Sequence, residues 1–175
     1  MKSCLKFIFP VMLSLTALQT SAQTVVPTDQ NYYIEFGLTP LHVRSEAGDV
    51  SHPQAARLAF GKNVHPNWAL EGFYLTTYTK DSRPGFDATA THYGLALKPK
   101  VAMTDSTELF ARLGWSHANM TVATDGSRTG TDFTYGWGIQ TAFTKSVYGQ
   151  LDYMTYYDKE GTSAKGFTLA IGTRF

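Results

Sequence analysis

The chain has 175 residues, with 15 Lys and Arg against 14 Asp and Glu, and it is 43% hydrophobic, 14% aromatic and only 17% charged. The near-neutral balance excludes the basic footprint that nucleic-acid binding requires, and an acidic disordered tail with it. The length fits one domain, and so aromatic a composition with so few charges suits a protein that shows apolar side chains to something other than water.

Residues 1–22 read as a signal peptide. Lys2 and Lys6 form a basic start, and the apolar stretch from Phe7 to Leu18 is shorter than the roughly twenty residues a membrane-spanning helix needs. Thr20 and Ala22 are the small residues expected just before a cleavage point, placed here between Ala22 and Gln23. Cleavage leaves 13 basic and 14 acidic residues and no cysteine, because Cys4 is the only one. Cys4 lies before the apolar core, which argues against a lipid-modified terminus, and disulfides are not expected to stabilise the exported chain. Residues 23–30 then form a short N-terminal segment, and residues 31–175 the folded domain. No later stretch approaches eighteen uninterrupted apolar residues, so any membrane passage is made by strands.

From Asn31 onward one pattern repeats. Eight runs of alternating large apolar and small or polar residues occupy 31–43, 55–64, 68–79, 91–101, 108–120, 132–143, 147–157 and 166–175. A period of two is the strand signal. In the first run Tyr32, Ile34, Phe36 and Leu38 alternate with Tyr33, Glu35, Gly37 and Thr39. In the sixth, Phe133, Tyr135, Trp137 and Ile139 alternate with Thr134, Gly136, Gly138 and Gln140. The eighth places Phe167, Leu169, Ile171 and Phe175 on one face.

The second face is rich in Gly and Ala with isolated charges, unlike a water-facing surface dense in Lys and Glu. It fits the packed interior of a narrow barrel, with the large apolar face turned to lipid. The fold expected is therefore all-β, an eight-stranded antiparallel up-and-down transmembrane barrel. Its lumen would hold Glu35, Glu71 and Asp152 with Arg57, Lys98 and Arg112, a neutral set that Gln140 and Gln150 are placed to link. Phe73, Phe110, Tyr148 and Met154 would fill the interior further.

The connections alternate in length. Those at His65–Asn67, Thr104–Thr107 and Thr144–Ser146 are short, whereas Arg44–Gln54, Lys80–Ala90, Thr121–Thr131 and Asp158–Lys165 are longer and more polar. Short inner turns with longer outer loops are the habit of outer-membrane barrels. Aromatic belts are expected at both ends: Trp68, Phe143, Tyr148 and Phe175 near the turns, and Tyr78, Tyr93, Phe133, Tyr157 and Phe167 near the loops.

Tyr135-Gly136-Trp137-Gly138-Ile139, Asn67-Trp68-Ala69-Leu70-Glu71-Gly72 and the terminal strand ending in Phe175 resemble the small outer-membrane β-barrel family, which includes the OmpA transmembrane domain and the OmpX/Ail-type and opacity-like porin-family proteins. The likeness covers residues 31–175. It implies a cell outer membrane location, with residues 23–30 in the periplasm. It also implies that Phe167, Leu169, Ile171 and Phe175 form the signal read by the barrel-assembly machinery. Thr173 and Ala170 depart from the family's usual larger apolar residue and Gly. A chain that stops at Phe175 would lack the peptidoglycan-binding domain of OmpA-type proteins. Expected partners are outer-membrane lipids and lipopolysaccharide, with a monomeric state and no nucleic acid.

Chemistry finds little support. Trp115-Ser116-His117-Ala118-Asn119 is faintly similar to a lipid A deacylase site, but the serine expected two residues after the histidine is missing. Ser116 and His117, as strand neighbours, face opposite sides. His42, His52, His65, His92 and His117 show no metal-ligand spacing, and no catalytic residue, metal or cofactor is expected. The reading is a non-enzymatic envelope protein with exposed loops of mixed charge. Alternatives are a loop-mediated adhesin or host-factor binder, a narrow pore and a lipid A-modifying enzyme; the rival fold is a soluble lipocalin-like binder.

Overall fold

The computed structural model describes residues 30–46, 48–81, 88–122 and 126–175. The signal-peptide reading, with Ala22 and Gln23, lies outside the described residues, as do Arg83, Phe86, Asp87 and Asp125 of the connections.

Among the described residues nine strands follow one another: β1 Tyr32–Arg44, β2 Val50–Ser51, β3 Gln54–His65, β4 Trp68–Thr79, β5 Ala88–Ala102, β6 Thr107–Val122, β7 Gly126–Ala142, β8 Val147–Lys159 and β9 Thr162–Arg174. The eight long strands pair antiparallel with their sequence neighbours, and β9 pairs back onto β1, so the sheet closes. Two-residue β2 extends only the end of β1. This is the eight-stranded up-and-down barrel that the alternation predicts. Closure leaves no sheet edge for its backbone groups.

At the turn end the β1–β9 seam is completed by Phe175. Tyr32 N donates to Phe175 O at 3.0 Å and Phe175 N donates to Tyr32 O at 2.9 Å. The Phe175 ring stacks on Tyr32, with centroids 6.3 Å apart, and leans on Phe60. Higher on the seam, pairing lapses at Thr39 and Pro40 and resumes in the same register at Leu41↔Gly166. Pro40 has no N–H to offer the ladder.

The two ends of the barrel differ, though less than the sequence suggests. The last connection is a two-residue turn, because Lys159 still pairs with Thr162. Its central residues Glu160 and Gly161 both have positive φ, 53° and 76°, the hairpin geometry that matches strand twist. The β6–β7 ladder likewise continues to Val122↔Gly126. The expected long loops at Thr121–Thr131 and Asp158–Lys165 are thus mostly strand. Their Thr and Gly residues continue the ladder, so polarity there does not mark a loop.

Each strand changes character along its length. Near the turns and through the middle, the outer face is apolar: Ile34, Phe36, Leu95, Trp115, Trp137 and Leu169 are all exposed. Towards the loop end the outward positions become Thr76, Thr89, Thr91, Asn119, Thr129 and Thr131, while Leu41, Val43, Leu75, Met120, Tyr156 and Tyr157 fill the interior. Phe73 and Met154 fill the interior as expected, and the apolar packing extends beyond them: the loop-end third is built like a water-soluble barrel, apolar inside and hydroxylated outside. Burying a Leu of this kind contributes about 1.5–3 kcal/mol.

Two belt assignments are corrected. Tyr148 and Tyr157 both point inward, 1% and 6% exposed, Tyr148 in keeping with its other expected place among the interior fillers. Tyr148 is in phase with Gln150 and Asp152. Tyr157 is turned in by a bulge between Thr155 and Tyr157, where β8 gains a residue over β9. Trp68, Phe143, Phe175, Tyr78, Tyr93, Phe133 and Phe167 do lie on the outer face.

Candidate functional site

The interior is stratified, and its middle layer is ionic. Glu35 comes from β1, Arg57 from β3, Glu71 from β4, Lys98 from β5, Arg112 from β6 and Asp152 from β8, each at an inward position of its strand. All six side chains are buried. Arg112 is the hub. It donates to Glu71 from Nε at 2.8 Å and from Nη2 at 2.9 Å, to Glu35 from Nη2 at 2.8 Å, and to Asp152 from Nη1 at 2.9 Å. Arg57 grips Asp152 with both terminal nitrogens, at 2.8 and 2.5 Å, and Lys98 Nζ reaches Glu35 at 2.8 Å. Three carboxylates meet three cations, so burial leaves no charge of this layer unpaired.

Neutral groups complete the layer. Gln150 accepts from Lys98 at 3.0 Å and donates to Asp152 at 2.7 Å. The Tyr148 hydroxyl donates to Glu35 at 2.8 Å, and the Tyr156 hydroxyl accepts from Arg57 at 3.1 Å. Phe110 lies under both Lys98 and Arg112, 4.4 and 4.9 Å from its ring centre.

Gln140 stands apart from that layer. Its amide donates to Glu108, nearer the turn end, where Arg174 also approaches Glu108 at 3.7 Å and Lys100 donates to Asn63 at 2.7 Å. This second polar layer was missed in the sequence. The signal was available: Lys100, Glu108 and Arg174 share the phase of Lys98, Arg112 and Gly172.

The outward set Phe167, Leu169, Ile171 and Phe175 lies on one face of β9 and its end, all four exposed, with Thr173 the one polar residue between Ile171 and Phe175. His117 and Ser116 diverge: Ser116 is buried and its hydroxyl donates to the Tyr156 carbonyl at 2.5 Å, while His117 contacts the Thr131 hydroxyl at 2.9 Å on the outside. They share no proton path. Among the described residues no group of three or more His, Cys, Asp or Glu side chains surrounds a common point.

At the rim, His42 and His52 meet. The β1–β2 ladder places them directly opposite, with Leu41 N donating to Pro53 O at 2.9 Å just below and Val43↔Ser51 paired just above. His42 Nδ1 and His52 Nε2 are 3.1 Å apart. Partial burial, and then His52, Arg44 and Lys165 nearby, hold the His42 imidazole below its ordinary pKa. Lys165 is held above its own by the hydrogen bond to Asp158 at 2.7 Å.

The sequence matches the outer membrane protein beta-barrel domain over residues 10–175. No curated protein sequence matches it. The structure is similar to Ail, the attachment invasion locus protein of Yersinia pestis, solved in complex with the heparin analogue sucrose octasulfate. That likeness has a TM-score of 0.63 at 19% identity, over 83% of this chain and 99% of that one. Neisserial surface protein A aligns with a TM-score of 0.66 at 13% identity, over 82% and 97% of the two chains. The N-terminal barrel of Pseudomonas aeruginosa OprF gives 0.60 at 16%, over 83% and 98%. Identities this low carry the fold alone.

Proposed function

This chain belongs to the outer membrane protein beta-barrel family, and from that premise we propose that it is a non-enzymatic, non-conducting structural element of the outer membrane. The short turns, the start of β1 and the end of β9 face the periplasm, and the threonine-rich rim faces outward. The observation that carries this reading is the interior itself. Arg112 ties three strands' carboxylates together across the lumen, and the apolar layer of Leu41, Leu75, Met120 and Tyr156 lies above it. Eight strands leave room for packed side chains but no aqueous channel.

Biogenesis in this reading follows export behind a cleaved signal peptide. The β9 stripe ending in Phe175 is presented to the assembly machinery, and the closed chain is a monomer in contact with outer-membrane lipid and lipopolysaccharide. Opposite placement of Ser116 and His117 supports the absence of lipid-hydrolase chemistry. The test is conductance of the purified barrel in a planar bilayer. Wild type is expected to show no discrete openings, and steady channels in wild type would replace this reading with a pore.

A second reading, adhesion, draws support from the rim. The β6–β7 ladder carries exposed hydroxyl and amide groups above the apolar band, with Thr129 donating to Asn119 at 2.8 Å. A polar, hydrogen-bonding sheet face offers donors and acceptors to an external partner. Binding of cells bearing the protein to immobilised host matrix, lost on shortening the β6–β7 hairpin, would favour it.

A further inference from the structure

We propose that His42 and His52 form a surface site for a borderline divalent transition-metal ion of the zinc or copper(II) class, with Asp81 orienting His52.

The backbone supplies the convergence. His42 and His52 are a cross-strand pair between hydrogen-bonded neighbours, Leu41 with Pro53 and Val43 with Ser51. In such a pair the side chains stand closest together. Both rings project from the outer face, away from the buried Val43 and Ser51. The 3.1 Å between His42 Nδ1 and His52 Nε2 lies between the two spacings a metal would ask for. Two metal–nitrogen bonds of about 2.0–2.1 Å set the donors about 2.9 Å apart at a right angle and about 3.4 Å apart at a tetrahedral one.

A third residue biases the tautomer. The His52 backbone N–H, turned away from β1 by the same register, donates to Asp81 Oδ2 at 2.9 Å. That carboxylate oxygen also lies 3.9 Å from His52 Nδ1. A negative charge on this side favours the proton on Nδ1 and leaves Nε2 bare toward His42; at 3.9 Å the carboxylate acts through its charge and not through a hydrogen bond to the ring. In the metal-free pair His42 Nδ1–H then donates to His52 Nε2. Metal binding requires only that the His42 proton move to its own Nε2 through solvent, with no net proton released from two neutral rings.

The site is bidentate, consistent with the lack of any three-ligand cluster among the described residues. The remaining positions would be filled by water or by a donor from an external molecule. A bound ion would join the β1–β2 connection to the segment after β4 that carries Asp81, stiffening the rim.

The experiment uses the untagged, full-length folded barrel in detergent micelles, with Cu²⁺ as the spectroscopic probe and Zn²⁺ as the calorimetric one. Wild type should bind one ion of either metal, with copper spectra showing two coordinated imidazole nitrogens. His42→Gln and His52→Gln should each abolish that two-nitrogen signal while keeping the heat-dependent gel mobility of a folded barrel, and His117→Gln should leave it unchanged. Asp81→Asn should retain both nitrogens but bind more weakly. A wild-type spectrum with one nitrogen or none, or wild-type affinity in His42→Gln, would overturn the site. Unchanged affinity in Asp81→Asn would overturn the role given to the carboxylate.

Discussion

Arg112 and Glu71 share two near-parallel hydrogen bonds of 2.8 and 2.9 Å, side-on through Nε and Nη2, and the same guanidinium also serves Glu35 and Asp152. One side chain from β6 thereby links β1, β4 and β8 across the lumen. The barrel wall is held by backbone ladders, but this contact decides whether three buried carboxylates can remain charged together.

Arg112→Met is therefore expected to destabilise the barrel strongly, by about 3–5 kcal/mol, because it strands paired charges inside rather than replacing the set. Arg112→Lys keeps the charge but not the fork, and its loss should be smaller. Denaturant unfolding in micelles, followed by tryptophan fluorescence, measures both. Equal stability in all three proteins would mean that the network contributes nothing.

Glycines beneath aromatic rings should respond in a graded way. A Cβ at Gly172 would stand 2.3 Å from Tyr148 Cζ, whereas one at Gly72 meets nothing closer than Leu95 Cδ2 at 3.6 Å. Gly172→Ala must push aside the ring whose hydroxyl donates to Glu35, at an expected cost of about 1–3 kcal/mol. Gly72→Ala should be close to neutral. The same unfolding titration compares them.

Leu169 is 69% exposed on the outer wall, and Leu169→Arg should cost about 2–4 kcal/mol in a bilayer. Reversible unfolding from lipid vesicles measures it. A neutral result would place this face in water.

His92 is a polar group in the wrong company. It is fully buried, tilted against Tyr156 at 5.5 Å, and neither ring nitrogen has a hydrogen-bond partner. His92→Leu removes that desolvation cost at similar volume, and a gain of about 1 kcal/mol is expected. The unfolding midpoint should rise with an unchanged denaturant slope; a fall would show that the imidazole is contributing a contact.

Much of this was legible in the sequence because a barrel imposes a strict period of two. Once Glu35, Arg57 and Asp152 were seen in phase with Gly and Ala, the polar middle of the lumen followed from composition and charge balance. What alternation does not encode is position along the barrel axis. Gln140 has the right phase but pairs with Glu108 in another layer. Tyr157 has its phase reversed by one bulge. The apolar loop-end core was hidden because Ala88, Ala90 and Ala118 read equally well as the small residues of a polar lumen. Their threonine neighbours outside, Thr89 and Thr91, are the sign that the wall has left the lipid. His42 and His52 are ten residues apart in the chain, and only the hairpin register brings them face to face.

The most direct test of the account is the electrophoretic mobility in SDS of the membrane-extracted protein, heated against unheated. A closed barrel with an apolar outer wall predicts recovery in the outer-membrane fraction and a clear difference in mobility between the two samples. Identical mobility, with the protein in the soluble periplasmic fraction, would contradict it and turn the apolar face inward.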